Sequence, residues 1–154
     1  MTGGITIDIS EFNVLLKKFK ELPERILDEV DAEIHESVRI YAGLAKNKLA
    51  SQLSANNNKK TSRLLGSINF VPTGQRLGYE VFAQTTYAAY QEWGTINYVS
   101  VPPDLVEIAA KYKGRGIRKT GGVKPKHYFF SQRALVIPEL MKNINNVLSQ
   151  ELNK

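Results

Sequence analysis

Glu92 and Trp93, adjacent within Tyr87-Ala-Ala-Tyr-Gln-Glu-Trp-Gly-Thr95, are the residues whose types and spacing best suit acid–base work. A carboxyl group held against an indole is desolvated, and a desolvated carboxyl can serve as a general acid. Such work needs a second carboxylate or a histidine at partner spacing, and none stands there. The competing role for Glu92 is structural: a carboxylate on a short helical turn, accepting hydrogen bonds from nearby backbone amides. His35 and His127 are the two histidines. His35 falls one position off the apolar stripe of a long helix and reads as a structural residue. His127, beside Lys126, specifies nothing alone. There is no cysteine, which excludes disulfides, thiolate zinc sites and thiol nucleophiles. The glycine-rich stretch GRGIRKTGG has no Gly-Lys-Ser/Thr ending and no strand leading into it, so it reads as a mobile loop, not a phosphate cradle. No catalytic residue, metal or cofactor is expected, and a small hydrolase acting through Glu92 is the weakest reading.

The remaining feature with chemical potential is positive charge. The chain carries 21 Lys+Arg against 15 Asp+Glu, a formal net charge of +6. Residues 1–54 hold 7 basic and 9 acidic side chains, whereas residues 55–154 hold 14 basic and 6 acidic ones. Seven of those bases lie within 111–127 with no acid among them: Lys111, Lys113, Arg115, Arg118, Lys119, Lys124 and Lys126. A segment of this kind meets something negative or stays extended. Tyr112 and Tyr128 flank it as stacking partners for nucleic acid. Against that, no base-reading helix or ribonucleoprotein strand motif is present. Contact with DNA and ordering on an acidic protein partner stand as equal alternatives.

These residues must be positioned by a chain of 154 residues, the size of one domain, able to bury roughly 68–70% of its unfolded surface. No apolar run reaches the length of a membrane span, and MTGGITIDIS lacks the basic-then-apolar order of a signal segment. A soluble protein of a reducing cytoplasm, without membrane contact, is the expectation.

Ser10 to Leu22 reads as a short opening helix capped by Ser10 and broken at Pro23. From Glu24 to about Leu53, Leu27, Val30, Ile34, Val38, Tyr41, Ala45, Leu49 and Leu53 keep steps of three or four residues. That spacing predicts one amphipathic helix, about 45 Å long, with acids in its first half and bases in its second. A polar loop is expected over 54–62, SANNNKKTS. Strands follow at 65–72 and 77–83, joined by a turn at 73–76, with Ile68, Phe70, Tyr79 and Val81 as sheet residues. Residues 87–95 form a short helical turn that Gly94 ends in the left-handed region. Val99 to Pro103 is extended, and Asp104 caps a helical stretch reaching Tyr112. His127 to Phe130 is a buried edge or a helix lead-in. A last helix over 131–152 places Leu135, Leu140, Ile144, Val147 or Leu148, and Leu152 on one face, with Pro138 interrupting it early. The class is α+β: a long N-terminal amphipathic helix and a C-terminal helix packed on a small antiparallel β-sheet, in one domain.

The order of these parts and three short motifs resemble the tail-completion, or head–tail joining, proteins of tailed bacteriophages and phage-like elements. The family's Thr-Gly-x-Leu-x-x-Ser-Ile segment is similar to 61–68, through Leu64, Ser67 and Ile68, with Ser62 in place of Gly. Its Tyr-Ala-x-Tyr-x-Glu-Phe-Gly-Thr motif matches Tyr87, Ala88, Tyr90, Glu92, Gly94 and Thr95, with Trp93 for Phe. Its Pro-Phe-Leu-x-Pro-Ala-Leu motif is similar to 128–135, through Phe129, Ala134 and Leu135, with both prolines missing. The resemblance covers about 30–152 and marks Ile96 to Lys126 as an insertion that holds the basic loop.

The resemblance implies a non-enzymatic virion subunit, assembled in the bacterial host cytoplasm and residing in the neck or tail. It implies a ring of identical copies, commonly six, between a head-completion or neck protein and a tail-tube or tail-terminator protein, with DNA passing through the centre. Under it the Tyr87–Thr95 motif is a corner that fixes the fold, with Trp93 buried, Gly94 turning the chain and Glu92 satisfying backbone donors. The alternative function is a stand-alone basic nucleic-acid-binding domain that uses 111–127.

Overall fold

The helix expected from Glu24 is present as α1, Glu24–Ser51, in a computed structural model that describes residues 5–8, 22–53, 58–95, 99–112 and 122–152. Pro23 stands at its N-cap with φ −55° and ψ 144°, and the Pro23 carbonyl accepts the amides of Ile26 and Leu27. Glu24 in the first turn and Lys48 in the last oppose the helix dipole. Its 28 residues make a rod of about 42 Å. Leu27, Val30, Ile34, Val38, Tyr41, Ala45 and Leu49 are all buried along one stripe, while Leu53 lies beyond the helix end and is partly buried. The opening helix expected over 10–22 lies outside the described residues except for Leu22, which packs partly buried against the core.

The sheet has three antiparallel strands: β1, Ile5–Asp8; β2, Ile68–Pro72; and β3, Tyr79–Ala83. Their order is β1-β3-β2, with Ile5 and Ile68 both opposite Ala83 and with Phe70 opposite Val81. On β3 burial alternates: Tyr79, Val81 and Ala83 are buried, and Glu80 and Phe82 between them are half-buried. The sheet packs against α1. Two contacts key this packing: the Tyr79 hydroxyl donates to Asp31 at 3.0 Å, and His35 stands edge-on to the Phe70 and Tyr79 rings. His35 is therefore a structural neighbour of the sheet.

Three expectations on this side of the molecule are corrected. The polar loop over 54–62 ends by Asn58, because Asn58–Ser67 is a helix, α2. The strand expected from Leu65 begins only at Ile68. Helical spacing puts Leu64 and Ile68, four residues apart and both buried, on the core side, and the Ser67 hydroxyl closes the helix end on the Leu64 carbonyl at 2.8 Å. The hairpin turn also runs longer than 73–76. Thr73 N–H donates to the Gly78 carbonyl and Gly78 N–H to that of Gln75, with Gly74 at φ 81° and Leu77 at φ 65°. Leu77 holds this disfavoured backbone while its side chain is buried.

Beyond the sheet come α3, Ala88–Trp93; a 3-10 turn, Pro103–Leu105; α4, Val106–Tyr112; a second 3-10 turn, Phe130–Gln132; and α5, Arg133–Leu152. Pro102, not Asp104, stands at the start of the first 3-10 turn, and no side chain caps it. Pro103, the first residue of the turn, brings the φ the turn needs and has no amide to satisfy. Helix α5 runs antiparallel to α1, since Lys48 reaches Ser131 and Glu33 accepts from Asn143.

The apolar face of α5 is Val136, Leu140 and Ile144, with Val147 and Leu148 partly buried. Leu135, expected on that face, is 63% exposed, because the face begins one residue later. Pro138 does not interrupt α5, which continues through it. Its ring leaves the Ala134 carbonyl without an i+4 donor, and Ala134 is exposed, so water can serve that carbonyl. The α+β class and the two helices on a small antiparallel sheet are as expected. No described helix is long and apolar enough to cross a membrane.

Candidate functional site

The site is built around a corner at the end of α3. Gly94 ends this helix with φ 78° and ψ 179°, and its amide donates to the Tyr90 carbonyl at 2.9 Å. The φ is positive as expected, but the extended ψ takes Gly94 out of the left-handed helical region into one where essentially only glycine is found. The chain then returns alongside itself. Thr95 N–H donates to the Val123 carbonyl, Val123 N–H donates to the Thr95 hydroxyl, and Lys126 and His127 donate to the carbonyls of Gln91 and Glu92. These main-chain bonds deliver 127–132 to the carboxyl group of Glu92.

Glu92 is 1% exposed, and its two oxygens accept from different amides: Oε2 from Phe129 at 2.8 Å and Oε1 from Phe130 at 3.0 Å. Those amides open the 3-10 turn that leads into α5. A helix start leaves its first amides without partners in the helix, and an oxygen-bearing side chain normally supplies them locally. Here the acceptor comes from a residue 37 positions away. Other side chains close the remaining groups of the same turn. The Tyr41 hydroxyl donates to the Phe129 carbonyl at 2.7 Å, Gln132 Nε2 to the Tyr128 carbonyl at 3.0 Å, and the Ser131 hydroxyl to the His127 carbonyl. Lys48 Nζ donates to Ser131 Oγ at 2.8 Å, tying the same turn to the end of α1. His127 bends the chain here with φ 44°.

The aromatic residues around this clamp form one cluster. Trp93 stacks on Phe130 at 5.2 Å and 18°, and Phe129 stands edge-on to Tyr41, Tyr128 and Phe130. Burial pushes the Glu92 carboxyl above its ordinary value, against the opposing pull of the Phe129, Phe130 and Tyr128 amides and of the Lys48 charge. Burial also raises the Tyr41 and Tyr128 hydroxyls, and the Glu92 charge adds to it. Burial, then the Lys48 charge, lowers His127, so the imidazole favours its neutral form.

An open cleft of about 800 Å³ lies beside the clamp, between the 100–105 segment and the start of α5. Glu92, His127 and Ser131 border it, on an otherwise largely apolar lining that includes Val101, Leu105, Ile137 and Pro138. Both Glu92 oxygens are held by amides, and the Ser131 hydroxyl donates to a main-chain carbonyl, not to a base. Among the described residues no group of three or more His, Asp or Glu side chains could hold a metal.

The structure thus brings together two of the three expected motifs. Ala88, Glu92, Trp93 and Gly94 are buried, Tyr87, Tyr90 and Thr95 are half-buried, and Phe129 meets them through Glu92. The Ala88 carbonyl also takes a long 3.5 Å contact from the Tyr128 hydroxyl. Leu64 and Ile68 enter the same core from α2 and β2, while the Ser67 hydroxyl closes its own helix end and the Ser67 carbonyl accepts from Gln84 N–H. Ala134 and Leu135 are not gathered in and face outward. Of the basic residues, Lys111 and Lys124 are exposed and Lys126 is half-buried, whereas Lys113, Arg115, Arg118 and Lys119 lie outside the described residues.

Sequence reasoning missed Lys48, Ser131 and Gln132 as members of the site. Lys48 looked like one more solvent-side cation, and only its place one position before the buried Leu49 hints at a lateral reach. Gln132 gave no signal. No protein-family model, curated protein or solved structure matches the chain.

Proposed function

We propose that the chain is a structural ring subunit of the region that joins head to tail in a tailed phage or phage-derived particle, with DNA passing through the ring. The observation that carries this reading is the Glu92 clamp. The residues that resemble the family's middle and last motifs meet through one buried carboxylate, used as a fastener between α3 and α5. That is the corner role the resemblance implies for Glu92, with each of its two oxygens accepting one backbone amide. A long helix packed on a small sheet makes a stiff wedge, and identical wedges related by a rotation close a ring through heterologous contacts.

The neighbouring genes provide the most direct test. Portal, head-completion and tail-tube genes beside this one are expected, and their absence would overturn the proposal. At the protein level, electron microscopy of the chain mixed with the co-encoded tail-tube protein should show rings. A persistent monomer in that mixture would count against it.

A second reading, a stand-alone nucleic-acid-binding domain, draws on Lys111 and Lys124, both exposed at the two ends of the 113–121 segment. It requires the isolated monomer to bind duplex DNA below micromolar concentration with a steep loss on adding salt. Weak binding without that slope is expected under the ring proposal.

A further inference from the structure

The two edges of the sheet are finished differently. Along the β2–β3 hairpin, main-chain bonds fall at every second residue: Thr73 N–H donates to the Gly78 carbonyl, and Gln84 N–H to that of Ser67. In the antiparallel register these pairs are in step with Val71–Glu80 and Asn69–Phe82. Asn69 and Val71 therefore turn their main-chain groups toward β3, and Ile68, Phe70 and Pro72 turn theirs to the outer edge. That edge is closed to strand addition. Phe70 N–H is taken by the Asn69 side-chain oxygen at 3.0 Å, and Pro72 has no N–H to offer. An edge proline and a locally satisfied amide both discourage pairing with another chain.

The same alternation carries across β3. Glu80 and Phe82 bond toward β2, so Val81 and Ala83 bond toward β1, where the register sets them opposite Ile7 and Ile5. Thr6 and Asp8 are left with both N–H and C=O on the outer side of β1. Among the described residues no strand pairs there, and Ile5–Asp8 contains no proline and no cation. The rows across the sheet define what an added strand must carry. Ile5, Ala83 and Ile68 form one row, and Ile7, Val81 and Phe70 another; Ala83, Ile68 and Val81 are buried. On the opposite face of the sheet, Asp8, Glu80 and Val71 form a row with two acids and no base.

We infer that the outer edge of β1 receives an extended segment of a partner protein, which joins the sheet as a further antiparallel strand. Its main chain bonds to Thr6 and Asp8. Its residues in the rows of Ile5 and Ile7 are apolar, and a lysine or arginine falls in the row of Asp8 and Glu80. Opposite charges on neighbouring strands attract, and another acid in that row would be repelled. The β1 strand of a second copy brings no cation to the row, so charge favours a different chain. This docking does not depend on whether the chain builds rings.

The test is nuclear magnetic resonance on the whole isotope-labelled chain at low salt, titrated with the capped peptide Thr-Lys-Ile-Thr-Ile-Thr. The Thr6 and Asp8 amides should shift and exchange hydrogen more slowly, while the Phe70 amide stays unchanged. Glutamate in place of the peptide's lysine should weaken binding about threefold. Methylating the peptide amide nitrogens that face β1 should abolish it. Thr6→Pro removes one outward N–H and should lose the binding while keeping the fold, whereas Ile7→Pro breaks the bond to Val81 and should lower the melting temperature. Should Thr6→Pro unfold the chain, the methylated peptide answers the same question. No perturbation at Thr6 and Asp8 with millimolar peptide, or equal binding of the lysine and glutamate peptides, would overturn the proposal. So would Thr6 and Asp8 amides that already exchange slowly in the free chain, because another segment of this chain, or a second copy if the protection grows with concentration, then holds the edge.

Discussion

A buried carboxylate that accepts two amides from a distant segment is a fastener whose removal is felt at both ends. Glu92→Gln keeps the size of the side chain but turns an NH2 group toward one of the two amides. Hydrogen bonds to charged acceptors contribute about 1.5–3 kcal/mol, so this substitution should lower unfolding free energy by about 2 kcal/mol, read from urea midpoints. The pH response has a definite sign. The folded chain holds the Glu92 carboxyl proton above the ordinary value of 4.5, so between 4.5 and that raised value the folded state binds more protons than the unfolded one. Stability is therefore expected to fall as pH rises through that window, and Glu92→Gln should remove this component of the slope. Gly94 is tested differently. Gly94→Ala forces a side chain onto φ 78° and ψ 179° and should cost about 2 kcal/mol in the same measurement. Tyr41→Phe removes the donor to the buried Phe129 carbonyl while keeping the ring contact, with an expected loss of about 1 kcal/mol.

At the scale of elements, legibility follows periodicity. Helix α1 was readable because a steady step of three or four survives over 28 residues, and every stripe residue within the helix is buried. Helix α2 was hidden by three consecutive asparagines, which locally favour turns, and only tertiary burial of Leu64 overrides that preference. Strand β1 passed unread because four residues are too few to display a period, although Ile5 and Ile7 do alternate. The face of α5 was misplaced by one residue since Leu135 and Val136 are equally apolar and spacing alone could not choose. The Glu92 pairing was legible only as a class of role: that it accepts backbone amides follows from the missing partners, but the identity of Phe129 and Phe130 required the fold. Pro138 provides the prediction at this scale. Pro138→Ala would return a donor to the Ala134 carbonyl and relieve the ring from the helix interior. A gain of about 1 kcal/mol is expected in thermal unfolding, below the full helix penalty of about 3 kcal/mol for proline because the unfolded chain also becomes freer.

Over the whole molecule, the order β1-β3-β2 leaves β3 paired on both sides and places α1 between the sheet and α5. Amides of β3 and of the middle of α1 should therefore exchange hydrogen only by global opening. The Phe129 and Phe130 amides, held by Glu92, should join that slowest class although they lie in a 3-10 lead-in, where such protection is unusual. Fast exchange at those two positions in native-state measurements would argue against the clamp.

The bonds between Thr95 and Val123 have a consequence for how this chain can vary. They staple the two ends of a 27-residue excursion side by side, and α4 within it rests on α3. The staple holds the two ends together, and within the excursion Leu105 and Ala109 are buried in the core. Doubling the length of such an excursion adds only about 0.6 kcal/mol of closure entropy. A short peptide tag inserted between the staple's ends and outside α4 is therefore expected to leave the melting temperature nearly unchanged, read by circular dichroism.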